Sequence, residues 1–409
     1  MVRHNIVLVA TECWEDSAWR RRHHVAWVLS KHHHVLFIEP PYPVVASLRD
    51  GSISWKRLLA LGRLKHRGRN LYSYSPAKLL PESFRLAAFG FEALNRKMAL
   101  SGVKRAAARL GLRNPILWVY FSPHQYDYYG LLAEQIVVGD IYDKFGAPSW
   151  KGMPVAESRV LERKQEILLQ HSHLVFTVSK ELRDELIQAH CRVHLIPNGV
   201  DFDSFQLPTS EQSLGAIEEV KGPVLGFLGM LHYKVDFELL DYLAEGHPEW
   251  TILLMGKDNI HSVDDRSVFS ILASRRNVIW CGELDRREIP GFLARVDVCL
   301  VPLKKLAMNK YSNFLKVWEY LAAGKPIVAV DQGGKSEYPD LIRFAESREA
   351  FAEAVDKALR MDTGRAFVER RKKIAKDNSW GNRVVKMLEI IADLLAEDAA
   401  ADSRSNESD

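Results

Sequence analysis

Short apolar runs alternate along this chain with longer stretches in which apolar residues recur every three or four positions. In the first half the runs are NIVLVA at 5–10, HVLFIEP at 34–40, PILWVYFS at 115–122, IVVGDIY at 136–142, HLVFTVS at 173–179 and VHLIPNGV at 193–200. Their length and β-branched content are those of buried strands. Helical spacing fills the gaps, notably over 20–31, 84–110, 156–170 and 180–190. After a polar, strand-poor stretch at 206–222 a second series begins: PVLGFLG at 223–229, WTILLMGK at 250–257, NVIWCG at 277–282, VCLVP at 298–302 and PIVAV at 326–330. Strand and helix in regular alternation predict parallel sheets covered by helices on both faces. The expected fold is α/β, two Rossmann-like doubly wound domains facing across a cleft, with the active site at the carboxyl ends of the strands lining it. The expected divisions are 1–205, 206–378, a C-terminal helix over 379–396 packing back on the first domain, and a disordered tail over 397–409.

At 409 residues, 47% apolar and 26% charged, the chain has the balance of a globular enzyme built on two cores. No run approaches the roughly 18 to 20 apolar residues that span a bilayer, and the first apolar run is too short and too soon interrupted by acids for a secretory signal. The expected location is the cytoplasm. The four cysteines, Cys13, Cys191, Cys281 and Cys299, form no CxxC pair and no zinc-ligand spacing, so no metal site is expected. The run His32–His34 lies between a helical pattern and a strand, where a solvated turn explains it.

Charge changes the picture of the first half. The net charge of +4 conceals 20 Lys and Arg against 7 Asp and Glu through Gln125, leaving an excess of acids in the remainder. Much of the basic excess lies in SWKRLLALGRLKHRGRN at 54–70, where leucines interleave with Lys and Arg near helical spacing. Such a helix either lies on an anionic membrane surface, giving a peripheral position on its inner face, or packs its leucines on its own domain. A nucleic-acid partner is not expected.

The segment SNFLKVWEYLAAGKPIVAV at 312–330 is the most informative. A helix from about Asn313 to Ala323 ends at Gly324, and Pro326 opens the next strand. Glu319 stands where its carboxylate can accept from both hydroxyls of a vicinal diol, with Lys316 one turn earlier on the same face. A surface pair of Glu319 with Lys316 is the alternative.

This segment resembles the P-x-K-x-x-E-Y-L-A-x-G-K-P-V-V signature of the GT-B glycosyltransferases of family 4. Further similarity lies, in order, in VSKELRDEL at 178–186, HLIPNGVDFDSF at 194–205, 226–257, 277–302 and NSWGNR at 378–383. It is dense over about 170–385 and looser before. The resemblance implies that Glu319 holds the donor ribose and that Gly229 lets backbone amides approach the diphosphate. It puts the nucleobase near Lys257, Gly282 and Leu284. Where family members carry Arg and Lys after the glycine this chain reads MLHYK, so Lys234 is the candidate cation, or else a solvated helix-start lysine. Tyr311 stands where many members carry a first glutamate; Asn309, Lys310, Ser312 and Asn313 share its loop facing the donor.

In the first domain VVGDIYDKFG at 137–146 resembles the Y-D-x-x-D-x-F segment of the same branch. Asp140 or Asp143 would then orient the acceptor hydroxyl or take its proton, with N-capping or salt-bridging as the alternative. His124 would hydrogen-bond a sugar hydroxyl. In the loop after the first strand Trp14 would stack on a sugar, and Arg21 or Arg22 would meet an acidic or phosphorylated acceptor.

The family thus implies a retaining transferase that needs no metal or other cofactor and takes its sugar from a nucleotide donor, UDP-linked rather than GDP-linked. The implied acceptor is a glycan, a lipid-linked acceptor or a small molecule, in polysaccharide or glycoconjugate biosynthesis. A nucleotide-sugar epimerase and a noncatalytic subunit of the same fold are the alternatives.

Overall fold

The computed structural model describes residues 3–16, 19–49, 54–79, 91–122, 126–144, 155–207, 220, 222–333, 338 and 340–406. The chain divides into two units. The first comprises residues 1–197, 311–313 and 384–409, the second 198–310 and 314–383.

In the first unit the elements run β1 (Asn5–Val9), α1 (Arg21–Leu29), β2 (His34–Ile38), β3 (Tyr42–Pro43), α2 (Val44–Arg49), α3 (Trp55–Leu58), β4 (Leu64–Gly68), β5 (Leu71–Tyr74), β6 (Ala77–Lys78), α4 (Phe91–Arg109), β7 (Ile116–Tyr120), β8 (Ile136–Ile141), α5 (Val155–His171), β9 (Leu174–Thr177), α6 (Lys180–Leu186) and β10 (Val193–Leu195). Eight strands form one sheet in the order β10-β9-β8-β7-β1-β2-β5-β4. All are parallel except β4, which pairs antiparallel with β5. Strands β1, β2, β7, β8 and β9 are buried almost throughout because helices cover both faces, which is why their sequences are unbroken apolar runs rather than alternating ones. His33 is buried, and its Nδ1 accepts from the His4 backbone N–H at 3.0 Å, so this part of the histidine run ties together the amino ends of β1 and β2.

The second unit runs β11 (Val224–Leu228), α7 (Phe237–Gly246), β12 (Thr251–Met255), α8 (Val263–Ser274), β13 (Val278–Trp280), α9 (Ile289–Arg295), β14 (Val298–Val301), α10 (Leu315–Ala322), β15 (Ile327–Val330), β16 (Ile342–Ala345), α11 (Arg348–Met361) and α12 (Arg365–Asp377). Its six strands are all parallel, in the order β13-β12-β11-β14-β15-β16. Strand order reverses between β11 and β14, and a crevice at that reversal is where open parallel sheets bind ligands. Side chains of Asp236, Ser262 and Ser347 accept the first-turn amides of α7, α8 and α11, fixing where each helix starts.

Three sequence expectations change here. Residues 54–70 are not one helix: α3 is a single turn, Gly62 turns the chain with φ +67°, and β4 follows. In β4 Lys65 and Arg67, two positions apart, both reach Glu15, so the basic residues follow strand alternation. The division falls at Pro197/Asn198 rather than at 205/206, because Val200 bridges Ser379 and accepts from the Trp380 N–H at 3.0 Å within the second unit. The last helix, α13, runs from Trp380 to Asn406 where a disordered tail was expected over 397–409; residues 396–400, AEDAA, are exposed but rich in strong helix formers. Residues of α13 from Val384 onward group with the first unit.

Candidate functional site

The chain ends of three neighbouring strands in the second unit carry no side chains. Gly229 follows β11, Gly256 follows β12 and Gly282 lies just beyond β13, all with positive φ. Their ladder continues past the strands: the Gly229 N–H donates to the Met255 carbonyl and the Gly256 N–H to the Gly282 carbonyl, both at 2.8 Å. A β-carbon at Gly256 would lie 2.0 Å from the Gly229 carbonyl oxygen, so this floor admits only glycine there.

Helix α10 stands beside that floor and is held from beneath. The buried Tyr320 hydroxyl accepts from the Leu228 N–H at 2.9 Å and donates to the Leu300 carbonyl at 3.3 Å, bridging β11 and β14 at the strand reversal. Trp318, Leu321 and Ala322 are buried with it, while Lys316 and Glu319 occupy the partly exposed side. The N-cap residue, Phe314, offers no side-chain acceptor to the first-turn amides, which leaves that end receptive to an anion.

Lys316 Nζ lies 4.0 Å from the centroid of the Phe227 ring and beside Gly229. Surrounding protein desolvates the ammonium and pushes its pKa down to about 7, opposed by the Glu319 charge and reinforced by Lys234. Desolvation pushes Glu319 up to about 7, opposed by Lys316 and then Arg286. Arg286 in turn pairs with Asp201 at 2.8 Å. Lys316, which lies beside Gly229, therefore feels the charges of Glu319 and Lys234, and Glu319 those of Lys316 and Arg286. Such an arrangement presents cations and glycine-rich backbone to an anionic group, and a carboxylate to a diol.

Other candidates in this unit are arranged around it. The Lys257 carbonyl accepts from the Leu231 N–H at 2.9 Å and its side chain is exposed. Leu284 packs on the hydrophobic core from the segment beyond Gly282. Asn309 is buried, donating to the Lys304 carbonyl at 3.0 Å. Tyr311, Ser312 and Asn313 group with the first unit, where the Tyr311 carbonyl accepts from Ser179 Oγ at 2.8 Å and Lys144 Nζ lies 5.2 Å from the Tyr311 ring centroid.

In the first unit the structure alters several expectations. Trp14 is buried in an aromatic cluster, 5.0 Å from Trp19 and 5.2 Å from Phe37 between ring centroids, so its faces are occupied by protein rather than offered to a sugar. Arg21 is buried at the end of β8: its Nε donates to both Asp140 oxygens at 3.0 Å, and Nη1 donates to the Ile196 carbonyl at 2.9 Å. Burial raises the Asp140 pKa, opposed chiefly by Arg21. Arg22 is buried against Glu12, 4.5 Å from the Tyr142 ring centroid. Each of these two buried arginines has a carboxylate beside it, Asp140 for Arg21 and Glu12 for Arg22. Asp143 is partly exposed and accepts from the Lys144 N–H at 2.9 Å and from Ser312 Oγ at 3.4 Å. His124 lies outside the described residues.

Residues 222–361 match the family model described as glycosyl transferases group 1. Over 229 residues the chain is 29% identical to the putative teichuronic acid biosynthesis glycosyltransferase TuaH of Bacillus subtilis strain 168. That match takes in 55% of this chain and 56% of the relative, so the chain spans little more than half of it. Sucrose-phosphate synthase from Thermosynechococcus elongatus matches with a TM-score of 0.68 at 14% identity, over 97% of this chain and 100% of that one. HepE of Anabaena, solved with UDP and glucose, matches with a TM-score of 0.63 at 14% identity, over 95% and 100%. Identities this low show the fold alone, and the fold is that of the GT-B glycosyltransferases.

Proposed function

We propose, for a chain whose residues 222–361 match the family model of the group 1 glycosyl transferases, that it transfers a sugar from a nucleoside diphosphate donor held by the second unit. The observation that carries this reading is the three-glycine floor after β11, β12 and β13, with Lys316 beside Gly229 and within the influence of Glu319 and Lys234. Glu319 accepts from the ribose hydroxyls. Lys316 and Lys234 face the diphosphate, whose negative charge grows as the bond from the anomeric carbon to the leaving phosphate oxygen breaks. The nucleobase lies toward Lys257 and Leu284.

A UDP-linked donor is favoured because a solved relative of this fold carries UDP and glucose. The name of the Bacillus relative supports a growing surface polysaccharide or its lipid-linked precursor as acceptor. Transfer proceeds with retention of anomeric configuration. Asp143, partly exposed where Asp140 is buried and paired, is the better placed of the two carboxylates to meet an acceptor hydroxyl.

Calorimetric titration with UDP, GDP, ADP and dTDP, repeated on Glu319→Ala, tests the reading. Binding of one nucleotide that weakens by about 1 to 3 kcal/mol in the variant is expected. No binding by any of the four would overturn the transferase and leave a noncatalytic protein of the same fold. Once the donor is known, the anomeric coupling of the product in NMR decides the stereochemistry.

A further inference from the structure

Seven of the large apolar side chains exposed among the described residues fall between positions 45 and 98 of the first unit. Trp55 is 67% exposed, Leu59 65% and Leu48 58%. A small ribbon gathers them. Strand β3 pairs with β6 through Tyr42–Ala77 and Pro43–Lys78, and α2, which carries Val45 and Leu48, starts at the next residue. The Ser54 N–H donates to the Tyr42 hydroxyl at 2.8 Å, and the Arg57 guanidinium lies 4.6 Å from the Tyr42 ring centroid, which holds α3 with Trp55 and Leu59 against the same ribbon. Beyond β6 the Leu79 N–H donates to Asn95 Oδ1 at 3.1 Å, bringing in the exposed pair Leu94 and Met98, one turn apart on α4.

The charge around the ribbon is predominantly positive. Residues 54–79 contain seven Lys and Arg and no Asp or Glu, and residues 91–113 contain six against one. Lys65 and Arg67 on β4 are matched by Glu15 from the loop after β1, but Arg96 and Lys97 are exposed on α4 among Leu94 and Met98. The core of a protein interface is depleted of charge, especially lysine. An anionic lipid surface takes both kinds of group, tryptophan and leucine into the headgroup layer and Lys and Arg against the phosphates. We propose that this patch docks the first unit on an anionic bilayer surface, with Trp55, Leu59 and Leu48 entering the headgroup layer. The proposal goes beyond the donor reading and uses none of the donor-site residues.

The full chain is sedimented without nucleotide in the presence of sucrose-loaded vesicles of phosphatidylcholine alone, and of phosphatidylcholine and phosphatidylglycerol in equal parts. Binding to the anionic vesicles only is expected, weakening with added salt. Partition should fall at least about tenfold in Trp55→Ser/Leu59→Ser, and again in the separate Arg96→Gln/Lys97→Gln variant, with circular dichroism melts unchanged. Absence of binding to anionic vesicles, equal binding to both kinds, or binding indifferent to both variants overturns the proposal. A dimer in sedimentation velocity that only Trp55→Ser/Leu59→Ser dissolves, without vesicle binding, overturns it in favour of a second copy of the chain.

Discussion

The Lys316 ammonium occupies the space that a side chain at Gly229 would need: a β-carbon there would lie 2.7 Å from Nζ. Gly229 also holds φ at +143°, a conformation that L residues rarely adopt. The glycine after β11 and the lysine on α10 are thus one device, the first making room for the second.

Two alanine substitutions separate the parts of that device. In Gly229→Ala the obstacle is the end of a flexible side chain, so Lys316 swings away and the loss of stability stays near about 1 to 2 kcal/mol, mostly from backbone strain. In Gly256→Ala the obstacle is the Gly229 carbonyl oxygen at 2.0 Å, which moves only with the strand ends. That loss should reach about 3 kcal/mol or more. Urea denaturation of both variants checks the order, and equal losses would mean that the floor is loose.

Protonation should be coupled to nucleotide binding. In the unliganded unit Lys316 is lowered from 10.5 to about 7, so its contribution to stability is present above 10.5 and is lost as pH falls through about 7. Glu319 is raised from 4.5 to about 7, so its contribution is present below 4.5 and is lost as pH rises through about 7. A diphosphate beside Lys316 favours the ammonium and raises its pKa again. At pH 8 the wild type should therefore take up a fraction of a proton, at most one, on binding, read by calorimetry in buffers of different ionisation enthalpy. Lys316→Gln should bind more weakly with the uptake abolished. Uptake that survives in the variant would assign the proton elsewhere.

The strand runs from 5–10 to 326–330 were legible because buried parallel strands are continuous apolar segments, and each is found within a residue or two of its expected ends except 193–200, whose strand stops at Leu195. The basic stretch 54–70 misled because Leu58, Leu61 and Leu64 also fit a helical period; what decides it is the turn at Gly62 and a partner strand, β5, that only the tertiary structure supplies. At the site, Gly229 and Glu319 stood out through the resemblance of their segments to the family signature, and Lys316 by lying one turn before Glu319 on the same helix. Gly256 was hidden because a glycine after a strand signals only a turn until its neighbours are known, and Gly282 was named only as a neighbour of the nucleobase, not as part of a glycine floor. Arg286 and Asp201, 85 residues apart, carry no local signal at all. Nor does the Arg21–Asp140 pair, whose two ends read separately as an acceptor cation and a catalytic acid.

Arg286 offers a test of whether its ion pair serves binding. The pair with Asp201 is about a third exposed on each side, so its contribution to stability should be below about 1 kcal/mol. Asp201→Asn and Arg286→Gln are accordingly expected to leave the urea midpoint almost unchanged. Since Arg286 also acts on Glu319, Arg286→Gln should raise the Glu319 pKa further and weaken nucleotide binding more at pH 7 than at pH 8.5. A pH-independent loss would point to direct contact of Arg286 with the nucleotide.

Asp140 separates a structural from a catalytic carboxylate. Its side chain is fully buried, accepts twice from Arg21 and receives the Trp118 indole N–H at 3.4 Å. Asp140→Ala leaves the Arg21 guanidinium buried without its counter-charge, and breaking a buried pair from one side costs about 3 to 5 kcal/mol. The expected outcome is a large drop in the stability of the first unit, read by hydrogen exchange at β7 and β8. Asp143 is partly exposed, so Asp143→Ala should cost little stability and, if this residue meets the acceptor, should lower turnover while nucleotide affinity stays the same. The reverse pattern, an Asp140→Ala protein that is stable but inactive, would return the catalytic role to Asp140 and make its pairing with Arg21 a way of tuning the base.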